Sequence, residues 1–201
     1  MQARKSVRQR TALKRHSEIE IGHSAYTDND GIEKKVWLRK QAIRDLDYVS
    51  VLDLFAGDNL IWNHIKTDRY YGVEQEGGKG KNLHLDNRKI IPVLDLSKFN
   101  VIDCDAYGVP YEQIEMLFEN PTLQKGTIVI FTCITGVLNQ VCNRARKDYG
   151  IYEMYKHTRV LFNRYSAEMF FSMLYSHGIK DVFMYEAKKS MKKRYGFFTA
   201  P

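Results

Sequence analysis

Val51-Leu52-Asp53-Leu54-Phe55-Ala56-Gly57-Asp58-Asn59 is the stretch on which the fold is read. An apolar, β-branched run begins at Tyr48 and stops at Ala56-Gly57, and Asp58 to Ile65 then reads as a helix. A strand that is apolar at successive positions is buried on both faces, as in the middle of a parallel sheet. Strand, tight turn with glycine at the bend, then helix is the repeating unit of an α/β domain.

The pattern continues outward. Arg69–Glu74, Phe99–Asp105 and Gly126–Thr132 read as further strands. A helix is expected over roughly 31–45, where Asp30 could cap it and Ile32, Val36, Trp37, Ile43 and Leu46 recur at near-helical spacing. Another fits 111–119 through Ile114, Leu117 and Phe118, and helix formers dominate 137–148 and 153–177. Gln75 to Asn82 is too glycine-rich for a comfortable helix and is followed by a short apolar patch, Leu83 to Leu85. Lys180–Glu186 and Arg194–Thr199, with a basic turn between them, read as an antiparallel hairpin. The expectation is therefore an α/β fold with a mostly parallel sheet and an antiparallel closing member.

The chain has 201 residues, 44% of them hydrophobic and 12% aromatic, enough to bury a core as one domain over 17–201. Cys104, Cys133 and Cys142 form no metal or disulfide pattern. Met1 to Arg15 is basic rather than apolar, and no long apolar run follows, so the expected compartment is cytoplasmic. The net charge of +7 is unevenly spread. A basic arm, 1–16, carries Arg4, Lys5, Arg8, Arg10, Lys14 and Arg15 with no acid. The hairpin turn carries Lys188, Lys189, Lys192, Lys193 and Arg194, which leaves the rest of the chain mildly acidic. Both segments are candidate phosphate contacts for a nucleic acid; solvated basic tails would look the same.

Ligands of open α/β sheets bind at the carboxyl ends of strands, where the Gly57 turn falls. Glu74 ends the next strand at the distance where an acid can accept both hydroxyls of a ribose. A dinucleotide would need G-x-G-x-x-G for its pyrophosphate, whereas this turn has one glycine followed by Asp58. An acid there repels a dianion, so a cationic nucleoside such as S-adenosylmethionine fits better than NAD.

With these residues in view, Val51 to Gly57 resembles the first motif of class I S-adenosylmethionine-dependent methyltransferases, in a form frequent among nucleic-acid methyltransferases. Gly72-Val73-Glu74 resembles their second-strand ribose motif and Asp86-Asn87 their adenine motif. Asp103-Cys104-Asp105-Ala106-Tyr107-Gly108-Val109-Pro110 is most similar to the fourth-strand motif of tRNA guanine-N2 dimethyltransferases. The resemblance implies a Rossmann-like, mostly parallel seven-stranded sheet with a C-terminal antiparallel hairpin. It implies S-adenosylmethionine as cofactor and methyl transfer to an exocyclic base amine, RNA ahead of DNA. Asp53 and Gly57 would hold the methionine part, Glu74 the ribose, and Asp86 with Asn87 the adenine. Phe55, Ala56, Asn59 and Gln75 complete the cofactor positions, and Asp103 would support that side of the pocket. Asp105 would accept a hydrogen bond from the target amine, and Tyr107 would stack on the base. Ala106 stands where the family's motif usually has proline, and Asn59 where it has a second glycine. A small-molecule or protein methyltransferase, or a cofactor-binding module without turnover, remain as alternative readings of the same residues.

Overall fold

The run that opens the fold forms β1, Ser50–Asp53, with every residue buried, in a computed structural model that describes residues 32–75, 82–135, 141–186 and 193–201. In chain order the elements are α1 (Ile32–Ile43), β1, β2 (Arg69–Glu74), β3 (Leu83–His84), α2 (Asn87–Ile90), β4 (Val101–Cys104), α3 (Tyr111–Glu119), β5 (Ile128–Ile134), α4 (Asn143–Asp148), α5 (Tyr152–His157), α6 (Arg159–Arg164), α7 (Ser166–Ser176), β6 (Val182–Glu186) and β7 (Lys193–Thr199). The strands form one sheet in the order β3-β2-β1-β4-β5-β7-β6. The first five are parallel, and β7 runs antiparallel to both β5 and β6. Residues 33–201 form one compact unit. Among the described residues no helix is long and apolar enough to cross a membrane.

The period of two along the central strands assigns the two faces. Val51, Val101 and Ile130 point to the side covered by Leu38, Ala42 and Ile43 of α1. Leu52, Leu54, Ile102, Cys104, Val129 and Phe131 point to the other, where Ile114 and Leu117 of α3 and Phe170 and Leu174 of α7 cover them. Asp53 and Asp103 are in register across β1 and β4, each two residues beyond a valine of the α1 side. Alternation therefore sends both carboxylates into the interface with α1. The sheet order reverses between β1 and β4, and the crevice beyond their carboxyl ends is where such sheets bind ligands.

Two helical expectations are corrected. Asp58 to Ile65 does not form an α-helix: the backbone turns at Gly57 (φ 50°) and again at Asn59 (φ 60°), and only Trp62–His64 closes as a short 3₁₀ turn. Left-handed residues cannot continue a right-handed helix. The stretch 153–177 is divided into α5, α6 and α7. Thr158 leaves helical geometry (φ −130°, ψ 39°), and its hydroxyl donates to the Met154 carbonyl at 2.8 Å, ending α5. The expected strands, the helix at 31–45 and that at 111–119 match within a few residues, and α2 is not among the expected elements. Of 137–148 the described helix is Asn143–Asp148, while Asp30 and 137–140 lie outside the described residues.

Candidate active site

The centre of the site is a buried charge cluster that α1 completes. Arg39, 1% exposed, is the only charged side chain among those of α1 that are fully buried, and it lies beside Leu38 and Ala42. Its Nε and Nη2 donate to the two carboxylate oxygens of Asp103 at 2.6 and 3.0 Å. The Trp62 indole N–H donates to the same carboxylate at 2.7 Å. This bidentate, charge-assisted geometry is the arrangement in which a buried ion pair holds its place. Asp103 is 0% exposed, so it lies inside the domain instead of lining the cofactor side of a pocket.

Asp53 is also buried. Its oxygens accept the Phe55 N–H at 3.1 Å and the Tyr70 hydroxyl at 2.9 Å, and that hydroxyl also lies 2.9 Å from the Asn59 side-chain oxygen. Burial, and then the charge of Asp103, push the Asp53 carboxyl well above the usual carboxylate range. Asp53 thus holds Phe55 directly and is linked to Asn59 through the Tyr70 hydroxyl. Cys104, between the two acids in sequence, faces away from them into the core. Burial and the neighbouring acids raise its thiol far above its ordinary value, which leaves it unreactive.

The outer layer is built on Gly57. Glu74 Oε2 accepts the Gly57 N–H at 2.8 Å, and the Asn82 side-chain amide donates to the Gly57 carbonyl at 2.8 Å. Ala56 bonds back to the Val73 carbonyl, setting the turn against β2. Gly72 makes this close approach possible: a β-carbon there would stand 2.8 Å from Ala56 Cβ and would overlap the Asn82 side chain. Asn82 Oδ1 is buried with no hydrogen-bond partner among the described residues. Gln75 follows β2 at an exposed bend.

Asp86 caps α2 through the Arg88 N–H at 3.0 Å and pairs with the Arg88 guanidinium at 2.8 Å. That side-chain bond to Arg88 is the main reason its carboxyl sits below its ordinary value. Asn87 reaches across to donate to the Leu54 carbonyl at 2.9 Å, which ties α2 to the end of β1.

Asp105 stands just beyond β4. Lys35 Nζ lies 3.1 and 2.9 Å from its two oxygens, Arg39 Nη2 donates at 3.2 Å, and the Thr132 hydroxyl donates from β5. Burial opposes ionisation here, but Arg39, then Lys35, then Thr132 outweigh it and hold the carboxyl below its usual range. A carboxylate offers about four acceptor positions, and these three side chains make four contacts with it. Tyr107, two residues on, is 62% exposed at the rim, with Gly108 (φ 133°) turning the chain behind it.

Sequence reasoning placed Asp53, Gly57, Glu74, Asp103 and Asp105 at the right strand ends. It missed Lys35, Arg39, Trp62, Tyr70, Asn82 and Thr132. One signal was present: Lys35 and Arg39, spaced i,i+4, interrupt the apolar face of α1 in a body with an excess of acids. The basic arm and Lys188, Lys189 and Lys192 lie outside the described residues. Lys193 begins β7, and Arg194 pairs with Glu186 at 2.7 Å.

No protein-family model matches the chain, and no curated protein matches it in sequence. Solved structures do match in fold. The N-methyltransferase NodS from Bradyrhizobium japonicum WM9 is 11% identical with a TM-score of 0.54, covering 87% of this chain and 98% of its own. The CurJ carbon methyltransferase is 14% identical with a TM-score of 0.54, covering 81% of this chain and 52% of its own. The plantazolicin methyltransferase BamL, solved with a substrate analogue and SAH, is 11% identical with a TM-score of 0.53, covering 92% and 90%. The seven-stranded sheet, its antiparallel C-terminal strands and these likenesses together give the chain the methyltransferase fold.

Proposed function

We propose that the protein is an S-adenosylmethionine-dependent N-methyltransferase whose target is an exocyclic amine of a nucleic-acid base. The observation that carries the cofactor reading is the grip on Gly57. Glu74 takes its N–H and Asn82 its carbonyl, so the turn has no free N–H there for a phosphate and no α-helix follows it. A pyrophosphate has lost both of the features that normally bind it. The acceptors at the turn instead favour a ligand that brings hydroxyls: the Glu74 carboxylate holds one side of Gly57 and the Asn82 side chain the other, with the buried Asn82 Oδ1 turned toward Gly72. The residues present therefore fit the nucleoside of S-adenosylmethionine, with Glu74 and Asn82 toward the ribose and Asn87 and Asp86 at the adenine end. The cofactor's sulfonium supplies the methyl group.

Asp105, held ionised by Arg39 and Lys35, is a hydrogen-bond acceptor and a poor proton-abstracting base at neutral pH. Its part is orientation: it accepts an amine N–H so that the nitrogen lone pair points at the methyl, and it steadies the charge that develops on nitrogen. Because its acceptor positions are engaged, an incoming amine must replace one donor. Lys35 is the outermost, with a side chain 15% exposed against 1% for Arg39. Tyr107, largely exposed at the rim, is placed to stack on the base. The same engagement of Asp105 favours a second reading, a cofactor-binding module without turnover.

Incubation with methyl-labelled S-adenosylmethionine and separate pools of tRNA, rRNA, duplex DNA and protein separates these readings. Transfer to a nucleic-acid pool that is lost in Asp105→Ala supports the proposal. Transfer only to protein overturns the substrate class. Thermal stabilisation by the cofactor without transfer to any pool supports the module, and stabilisation by NADH alone overturns the cofactor.

A further inference from the structure

The segment between β5 and β6 carries a surface that the cofactor cradle does not use. From Asn143 to Tyr165 it has six Lys or Arg against two acids. Both acids are engaged. Asp148 accepts the Tyr111 hydroxyl at 3.2 Å and lies 4.0 Å from Arg144, and Glu153 pairs with Lys156 at 2.9 Å. Lys147, Arg159 and Arg164 are exposed and pair with no acid among the described residues. The surface also offers ring faces. Arg146, Lys147, Tyr152 and Met154 line an open hollow of about 480 Å³ between α4 and α5. Tyr152 is half exposed, with Lys156 Nζ 5.2 Å from its centroid. Arg146 is held in place over the Tyr155 ring at 3.9 Å.

The location joins this surface to the candidate site. α4 follows β5 at its carboxyl end, the end of the sheet that carries the Gly57 turn. Tyr111, which opens α3 four residues after Tyr107, reaches Asp148 and packs edge-on against Tyr149.

We infer that the α4–α6 surface docks a single-stranded segment of nucleic acid, its phosphates on Lys147, Arg159 and Arg164 and an unpaired base on Tyr152. Cations along a backbone track with an exposed ring beside them are the chemistry of single-strand binding. A duplex hides its base faces, and an acidic peptide leaves the ring unused. The inference deepens the proposed function by naming how its substrate class is held, and it rests on that reading for the purpose of the contact.

The test uses the full chain, with fluorescence anisotropy of a labelled mixed-sequence RNA single strand, the same sequence as DNA, the duplex, and heparin. Wild type is expected to bind either single strand more tightly than duplex or heparin. Lys147→Glu/Arg159→Glu/Arg164→Glu should weaken binding at least tenfold and flatten the logarithmic salt slope by about 2, at roughly 0.7 per phosphate contact. Tyr152→Ala should weaken it about 5- to 100-fold, the range of one stacked base, and leave the slope unchanged. Melting temperatures equal to wild type show that the variants fold. Binding by the triple variant within twofold of wild type, or equal affinity for duplex or heparin, overturns the inference. Cofactor binding is measured separately: strand binding without stabilisation by S-adenosylmethionine defeats the methyltransferase reading and leaves this one standing.

Discussion

The acids at the ends of the central strands and those toward the β3 edge meet different surroundings. Asp53 and Asp103, side by side on β1 and β4, are buried in the interface with α1 and held by Phe55, Tyr70, Arg39 and Trp62. Glu74 and Asp86, at the ends of β2 and β3, remain partly accessible and bind turns and caps. The inner acids thus hold the domain together, while the outer ones stand partly exposed where a ligand can reach them. Asp105 stands between the two layers, anchored from below by Arg39 and facing the rim at Tyr107.

The sharpest way to break this division is Arg39→Met. It leaves Asp103 buried without its cation and strips a donor from Asp105. Removing one partner of a buried pair costs about 3–5 kcal/mol. Urea denaturation should show a loss of that order, and a loss below ~1 kcal/mol would mean that the inner layer is not structural. Glu74→Gln tests the outer layer. The amide oxygen can still accept the Gly57 N–H, so stability should change little. A ribose losing a charge-assisted acceptor worth about 1.5–3 kcal/mol should bind about 10- to 100-fold more weakly, as calorimetry with S-adenosylmethionine would read.

The pH dependence separates the layers by sign. Asp105 has a folded-state pKa below its unfolded value near ~3.9. Its contribution to stability is therefore complete above that value and is lost as the pH falls through the folded one. Asp53, raised by burial and Asp103, has the opposite sign. Its contribution is present below the unfolded value and is lost as the pH rises through the folded one. Denaturation curves at a series of pH values should show that Asp105→Asn loses less stability than wild type on acidification. They should also show that Asp53→Asn gains on wild type as the pH rises toward neutrality. The smallest effect on stability belongs to Tyr107→Ala, within about 0.5 kcal/mol for an exposed side chain. Methyl transfer should nevertheless fall; equal turnover would remove Tyr107 from the site.

Much of this was legible in the chain. β1, β2, β4, β5 and the hairpin announced themselves by apolar and β-branched runs, and α3 by its amphipathic spacing. The short 3₁₀ turn at Trp62–His64 was not. Helix-forming composition after Gly57 is overridden by left-handed Asn59 and by an indole drawn down to Asp103. Breaks at Thr158 and Tyr165 were hidden too, because one off-helix residue barely alters a window of apolar spacing.

The site divides in the same way. By itself the sequence determined which carboxylates stand at strand ends and where glycine lets β1 turn, because both follow from local pattern. Only the tertiary structure decided what those carboxylates face. Arg39 lies 64 residues from Asp103, and Asn82 lies 25 from Gly57. Such partners meet because the sheet order and the position of α1 bring them together. A charge's role depends on burial and on the partner opposite it, and neither is encoded within its own stretch of chain.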